Sequence, residues 1–260
     1  LPNKLRIKML IPTLKKLLPS FIIKFLRDSK NNLLKSEFNK MNNYDIFKKI
    51  YLKKIWTPEQ KKKNFKFYSG TGSHEKEFTE VYLKKVENFL NSFPTKPDVV
   101  DLGCGDFEIG SKLRKFCNKY TAVDIFDELI NHNKKKFNNY NVEFLSMDIT
   151  KDNLPKGDIC FLRTVLQHLS NESIKSFLIL IKDKYKYLVL TEHLPNLKNF
   201  KSNVDMPTSS FIRLDKKSGV ILTDPPFNLK VVKQITLCNL QSNKISNFEG
   251  VVNTKILQLT

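Results

Sequence analysis

The 260-residue sequence predicts an α/β fold with a mostly parallel sheet and helices on both faces. Three observations carry that expectation. Short β-rich runs alternate with helical ones from Asp98 to Thr191, the pattern of a parallel sheet built from βαβ units. The apolar run Val99–Leu102 leads straight into a glycine turn, Gly103-Cys104-Gly105. The composition is globular, with 40% apolar and 27% charged residues, 11 Pro and 8 Gly. It argues against a disordered tail, a collagen-like repeat or a disulfide-stapled miniprotein.

Residues 1–56 read as a basic helical arm, and residues 57–260 as the main domain. Leu14, Leu17, Leu18, Phe21, Ile22 and Phe25 recur at helical period, broken by Pro12 and Pro19. A second helical stretch runs through Tyr44, Phe47, Ile50, Tyr51 and Ile55 to Trp56. The arm either packs on the main domain or lies in a membrane surface with its lysines on anionic lipid; we favour the first. The most apolar segment, Met9 to Leu26, is interrupted by Lys15, Lys16 and Lys24 and lacks a signal-peptide cleavage pattern. A reducing cytosol is the default location, with peripheral contact at the inner face of the membrane as the variant reading.

Ser69-Gly70-Thr71-Gly72-Ser73-His74 reads as a loop, and a helix is expected from Lys76 to Phe93, ended by Pro94 and Pro97. Strands are expected at Asp98–Leu102, Tyr120–Ile125, Val142–Ser146, Asp158–Arg163 and Tyr187–Thr191. Helices are expected between them at Glu108–Phe116, Asp127–Phe137 and Asn171–Lys182. An irregular stretch follows Pro195. The alternating runs Lys230–Cys238 and Val251–Leu259 then suit an antiparallel pair at the end of the sheet.

The net charge of +19 invites a nucleic-acid or lipid partner. Yet five arginines stand against forty lysines, and asparagine is abundant. Lysine with asparagine is what AT-rich coding produces, and arginine is the residue suited to bidentate phosphate and guanine contacts. We therefore read the charge as background, and a nucleic-acid partner as disfavoured. Cys104, Cys117, Cys160 and Cys238 show no CxxC spacing, so neither a zinc site nor a disulfide framework is expected. No carboxylate cluster at metal-ligand spacing is visible.

The segment Val99-Val100-Asp101-Leu102-Gly103-Cys104-Gly105-Asp106-Phe107 carries the chemistry. Glycines after a buried strand let backbone N–H groups approach a ligand beyond the strand's carboxyl end. A pyrophosphate site wants G-x-G-x-x-G, but Glu108 stands at the third glycine position, and Asp106 and Glu108 would repel a diphosphate. Asp101 just before the turn suits a ligand with cationic groups, such as an amine and a sulfonium.

At this point the sequence resembles the class I S-adenosylmethionine-dependent methyltransferases. Asp101-Leu102-Gly103-Cys104-Gly105 matches the family's first motif, and Asp124 in Ala122-Val123-Asp124-Ile125 its second. Ser146-Met147-Asp148-Ile149 and Arg163-Thr164-Val165-Leu166-Gln167-His168-Leu169 follow in the family's order. The resemblance spans roughly residues 76–193. It implies a Rossmann-like seven-stranded sheet with an antiparallel C-terminal strand, and S-adenosyl-L-methionine as cofactor. Cofactor contacts are implied for Asp101, Gly103, Cys104, Gly105, Asp124, Ile125, Met147 and Asp148. Asp124 would accept from the ribose hydroxyls and Asp148 from the adenine amino group, while Cys104 reads as packing rather than as a nucleophile. A narrower similarity is to bacterial small-molecule and glycan methyltransferases with an upstream "W…SGxGS" and a downstream "DxPPFxLP"-like segment. Here these are Trp56 with Ser69–Ser73, and Asp224-Pro225-Pro226-Phe227-Asn228-Leu229, with Lys230 where the pattern has proline.

A hydroxyl acceptor gains from a base, most often histidine. His168 after the fourth strand and His193 after the fifth are the candidates. His74 is placed to close over the site, and Arg163 either to bind an acidic acceptor group or to pair with Asp158 or Glu192. Asp224–Phe227 mimics the motif with which amino-methyltransferases hold a base's amino group. It follows the fifth strand instead of the fourth, so we read it as a turn. The expected function is methyl transfer to a small-molecule or glycan hydroxyl. A nucleic-acid methyltransferase and a non-catalytic interaction module are the alternatives.

Overall fold

The computed structural model describes residues 19–241 and 249–259. The chain divides into two compact units, Leu1–Met41 and Asn42–Thr260. The division precedes the boundary expected after Trp56, because residues 43–56 pack within the larger unit. The smaller unit contains helix α1 (Ser20–Phe38), preceded by Pro19, whose carbonyl accepts from the N–H groups of Ile22 and Ile23 (3.0 and 3.2 Å). Proline is harmless there, since the first N–H groups of a helix have no partner anyway. The expected apolar positions Leu14, Leu17 and Leu18, with Pro12, lie outside the described residues. No helix among the described residues is long and apolar enough to cross a membrane.

The larger unit opens with α2 (Asn43–Leu52), capped by the Asn42 side chain accepting from the Asp45 N–H (2.9 Å). Ile46, Ile50 and Tyr51 recur on one face and are buried. The helix stops before Trp56, because Lys54 turns to φ 52° and the Ile55 N–H returns to the Ile50 carbonyl. Helix α3 (Lys76–Leu90) buries Phe78, Thr79, Tyr82, Val86 and Leu90, a three-and-four spacing that makes one apolar stripe.

Strands β1 (Val99–Leu102), β2 (Tyr120–Asp124), β3 (Glu143–Ser146), β4 (Ile159–Arg163), β5 (Tyr187–Pro195), β6 (Lys233–Gln241) and β7 (Gly250–Gln258) form one sheet. Its order is β3-β2-β1-β4-β5-β7-β6. The first five strands run parallel, and β7 lies antiparallel between β5 and β6. Helices α4 (Gly110–Leu113), α5 (Asp127–Lys136) and α6 (Asn171–Leu180) connect the parallel strands. Alternate strand residues serve opposite faces. Val100, Leu102, Cys160 and Leu162 join Ile174 and Phe177 of α6, while Val99, Ala122, Ile159 and Phe161 join Tyr82 and Val86 of α3. The strand order reverses between β1 and β4, so a crevice opens at their carboxyl ends.

Two expectations shift. Helix α4 is shorter than Glu108–Phe116, because Phe107 takes φ 60° and a 3-10 turn covers Arg114–Phe116. Strand β5 runs on past Thr191 to Pro195, because β7 pairs with its whole length from Tyr187↔Gln258 to Pro195↔Gly250. His193 therefore lies within the strand rather than after it. Asp224–Phe227 is a turn: the Asp224 carbonyl accepts from the N–H groups of Phe227 and Asn228 (3.0 and 3.1 Å).

Arg213 is fully buried and ties the chain after β4 to the irregular stretch that follows β5. It donates to the carbonyls of Leu166 (2.8 Å), Leu169 (2.7 Å) and Val204 (3.2 Å) and to Asn171 Oδ1 (2.8 Å). Arg213→Met should destabilise the protein by about 3 kcal/mol, at about 1 kcal/mol or more for each carbonyl left without a donor. Urea unfolding should show a lower midpoint at unchanged slope; an unchanged midpoint would contradict this role.

Candidate active site

At the carboxyl ends of β1, β2, β4 and β5 lies a cavity of about 350 Å³. Every site residue expected from the sequence lines it: Asp101, Gly103, Cys104, Gly105, Asp124, Ile125, Met147, Asp148, Arg163, His168 and His193. Asp224–Phe227 does not.

The floor is the turn after β1. Gly103 and Gly105 take φ 78° and 57°, values that side chains adopt only with strain. A Cβ on Gly103 would meet the Val165 side chain, and one on Gly105 the Ser69 hydroxyl. The Gly105 N–H donates to Asp124 Oδ2 (3.0 Å), and the Phe126 N–H to Oδ1 (3.3 Å). Burial pushes the Asp124 carboxyl up to about 6 against these bonds. Asp101 accepts from the Tyr120 hydroxyl (2.9 Å), and its own burial raises it further, to about 7. Asp148 Oδ1 accepts from the N–H and hydroxyl of Thr150 (2.9 and 2.7 Å). The Cys104 thiol is pushed well up by burial, which suits packing and not nucleophilic attack.

One wall is the loop Ser69–His74. The Ser69 N–H donates to Asp106 Oδ2 (3.1 Å), and the Asp106 N–H returns a bond to the Ser69 hydroxyl (2.6 Å). His74 Nε2 also meets Asp106 Oδ2 (2.6 Å), with its ring stacked on Tyr68 (4.1 Å). His74 thus clasps the loop to the glycine turn without lining the cavity. Arg163 pairs with neither Asp158 nor Glu192. It donates to the Gly72 carbonyl (2.6 Å) and the Ser73 hydroxyl (3.2 Å) and lies over the Tyr82 ring (4.8 Å). Its Nε is buried without a partner.

The opposite wall holds both histidines. His168, in the 3-10 turn Leu166–His168, places Nδ1 3.0 Å from the Phe211 carbonyl and Nε2 3.3 Å from Gln167 Nε2. Its ring packs on Trp56 (4.8 Å), whose indole N–H donates to the Ser210 carbonyl (3.2 Å). His193 Nδ1 lies 2.7 Å from Gln167 Oε1, and its Nε2 is buried without a partner. Burial lowers His168 to about 4 and His193 to about 3, so both are neutral near pH 7. Glu192 points to the other face of the sheet, where its Oε1 accepts from the Leu166 N–H (3.1 Å). Gln167, Tyr82 and Phe211 escape sequence reasoning. Gln167 occupies the variable position of its motif, and Phe211 lies in a stretch with no periodicity.

Residues 99–185 match the family model described as a methyltransferase domain. Among solved structures, the chain is similar to the N-methyltransferase NodS from Bradyrhizobium japonicum WM9 in complex with S-adenosyl-L-homocysteine. That pair is 12% identical with TM-score 0.55, covering 80% of this chain and 97% of the other. It is also similar to magnesium protoporphyrin IX methyltransferase (ChlM) from Synechocystis PCC 6803 with bound SAM. There the identity is 11% and the TM-score 0.52, over 84% of this chain and 98% of the other. At such identities the likeness is one of fold. No curated protein matches the chain. The matched segment carries the glycine turn and the Asp124 strand end and is a methyltransferase domain, for which S-adenosyl-L-methionine is the methyl donor.

The residues present fit that cofactor. Asp101 and Asp124 are buried at the cavity, and among the described residues neither forms an ion pair. A ligand bearing ammonium and sulfonium charge would place a cation beside these carboxyls. Asp124 retains lone pairs for ribose hydroxyls, and Asp148 and Met147 lie beside it at the end of β3. Asp124→Ala should weaken S-adenosylhomocysteine binding by roughly 1.5–3 kcal/mol, the worth of bonds to a charged group. Unchanged affinity by calorimetry would remove the assignment. Both carboxyls are raised, so each loses its proton only as pH climbs through 6 to 7. Affinity for S-adenosyl-L-methionine should therefore rise between pH 5.5 and 8. A flat profile by calorimetry would show that these carboxylates do not face the bound cation.

Proposed function

We propose that this methyltransferase moves the methyl group to a hydroxyl of a small-molecule or glycan acceptor, with His193 as the base. The observation that carries the reading is a matched pair of orphaned atoms. Arg163 Nε–H, a donor, and His193 Nε2, an acceptor, are both buried without partners on side chains lining one cavity. Arg163 pairs in register with Thr191, and His193 follows two residues later on the same face of β5.

Neither atom has accessible surface in this arrangement, so a hydroxyl answers both at once only where a bound acceptor parts the side chains that cover them. Its O–H donates to His193 Nε2, and one oxygen lone pair accepts from Arg163 Nε–H. A second lone pair remains for the new C–O bond. An amine has one lone pair, which cannot both accept from Arg163 and attack. S-adenosyl-L-methionine, when bound, supplies an electrophilic methyl group. His193 takes the acceptor's proton as the C–O bond forms, and the hydroxyl grows more acidic as that happens. The His193 imidazole enters the step neutral and leaves it as an imidazolium; being a weak base, it takes the proton only once C–O bond formation has made the oxygen strongly acidic. The walls from residues 43–73 and 210–215 hold the acceptor in line and keep water out.

The lining also favours a small neutral acceptor over nucleic acid. Asp101, Asp106, Asp124, Asp148 and Asp215 line the cavity, and Arg163 is the one Lys or Arg among the lining residues. A phosphodiester meets like charge there.

The test is mass spectrometry of a metabolite and glycan extract incubated with the protein and methyl-labelled cofactor. A labelled methyl ether is expected. Label on an amine, or on RNA or DNA added to the same assay, would overturn the hydroxyl reading. On the acceptor so found, His193→Gln should lower turnover by roughly 10²–10⁴-fold, with S-adenosylhomocysteine affinity unchanged. Turnover equal to wild type would remove His193 from the base role.

A further inference from the structure

We propose that Gln167 is a positioning residue whose side-chain amide dictates which nitrogen of His193 carries the proton, leaving Nε2 as a bare acceptor on a side chain that lines the cavity. The inference deepens the reading of His193 as base and rests on it for its catalytic meaning. It is carried by a hydrogen-bond relay that starts at a group with one polarity.

The Phe211 carbonyl only accepts, so His168 Nδ1, 3.0 Å away, must carry a proton. The neutral His168 ring then has its lone pair on Nε2, 3.3 Å from the Gln167 amide, which must turn its NH₂ toward it. The same amide nitrogen lies 3.4 Å from the Thr164 carbonyl, a second acceptor that prefers this orientation. Gln167 Oε1 is thereby committed to His193, so Nδ1 at 2.7 Å must be the protonated nitrogen. His193 Nε2 is left with its lone pair, and that is the atom buried without a partner.

The opposite amide orientation is costly. It sets Gln167 Oε1 against His168 Nε2, which forces both His168 nitrogens to carry protons. Burial of that ring, packed on Trp56, opposes the charge. It also leaves His193 with Nε2–H, a donor that cannot accept a proton. One amide therefore decides between a base and a non-base at the cavity wall. Gln167 is itself buried, 4% exposed, so water does not compete for either end.

The test reads imidazole nitrogens by ¹⁵N NMR on the whole protein with S-adenosylhomocysteine bound, and needs no acceptor. Signals are assigned with His193→Gln and His168→Asn. In the wild type, both rings should show the Nδ1–H, bare-Nε2 pattern. In Gln167→Met, His193 should lose that single pattern and show a mixture of tautomers. In Gln167→Glu, whose carboxylate only accepts, His193 should keep it while His168 gains a second N–H. His193 with its proton on Nε2 in the wild type overturns the relay, as does an unaltered pattern in a folded Gln167→Met. The wild-type spectrum decides even where a variant does not fold. Normal turnover of His193→Gln would refute the base reading separately, because the tautomer pattern is measured without catalysis.

Discussion

The bond from the Gly105 N–H to the Asp124 carboxylate, 3.0 Å long, is the contact on which the cleft depends. It fixes the turn after β1 to the end of β2, and the Asn133 side chain secures the other side of the same peptide through the Gly105 carbonyl (2.7 Å). Gly105 is left with no freedom and no side chain, and that bareness lets Ser69 approach. Ser69 and His74 then engage Asp106, the next residue, and Arg163 catches Gly72 and Ser73 from β4. Floor and wall are thus positioned by one turn. A displaced Gly105 would move Asp124 and the loop Ser69–His74 together.

How far this was legible in the sequence depends on how local each constraint is. The parallel strands and their helices follow from apolar runs and glycine turns a few residues long. The glycine turn and the acids at the ends of β1, β2 and β3 stand out because a strand end must deliver them. The extension of β5 is different. It depends on pairing with β7, some sixty residues onward, and that pairing brings His193 into the strand and onto the cavity face. Arg163 misled for a related reason. Its acidic neighbours in sequence are compelling partners, yet it binds a backbone carbonyl and a hydroxyl in a loop ninety residues earlier. Gln167 carries no charge and no periodicity, so nothing local marks it.

The overall charge proved a poor guide to the field at the site. A chain of net charge +19 surrounds a cavity whose lining acids outnumber its single arginine. No lysine among the described residues lines it, and exposed lysines are screened by salt within about 10 Å at ordinary ionic strength. Inside the cavity, low dielectric makes each carboxylate felt more strongly. The net charge therefore says little about the cavity, where burial has gathered a few acids.

Those acids also link folding to ligand binding. Asp101 and Asp124 hold protons up to about 7 and about 6 in the ligand-free fold, against an ordinary value of 3.8. A carboxyl raised by folding contributes stability at low pH and loses it as pH rises through its folded value. Between pH 4 and 7 the ligand-free protein accordingly surrenders stability on the order of a few kcal/mol at these two positions. A bound cation removes that loss by making the ionised forms favourable. Near pH 7 the strain of burying unpaired carboxylates and the attraction for a positively charged donor are one free energy seen from two sides. The same holds for Arg163 Nε and His193 Nε2, whose missing hydrogen bonds cost stability for as long as both atoms stay buried without partners.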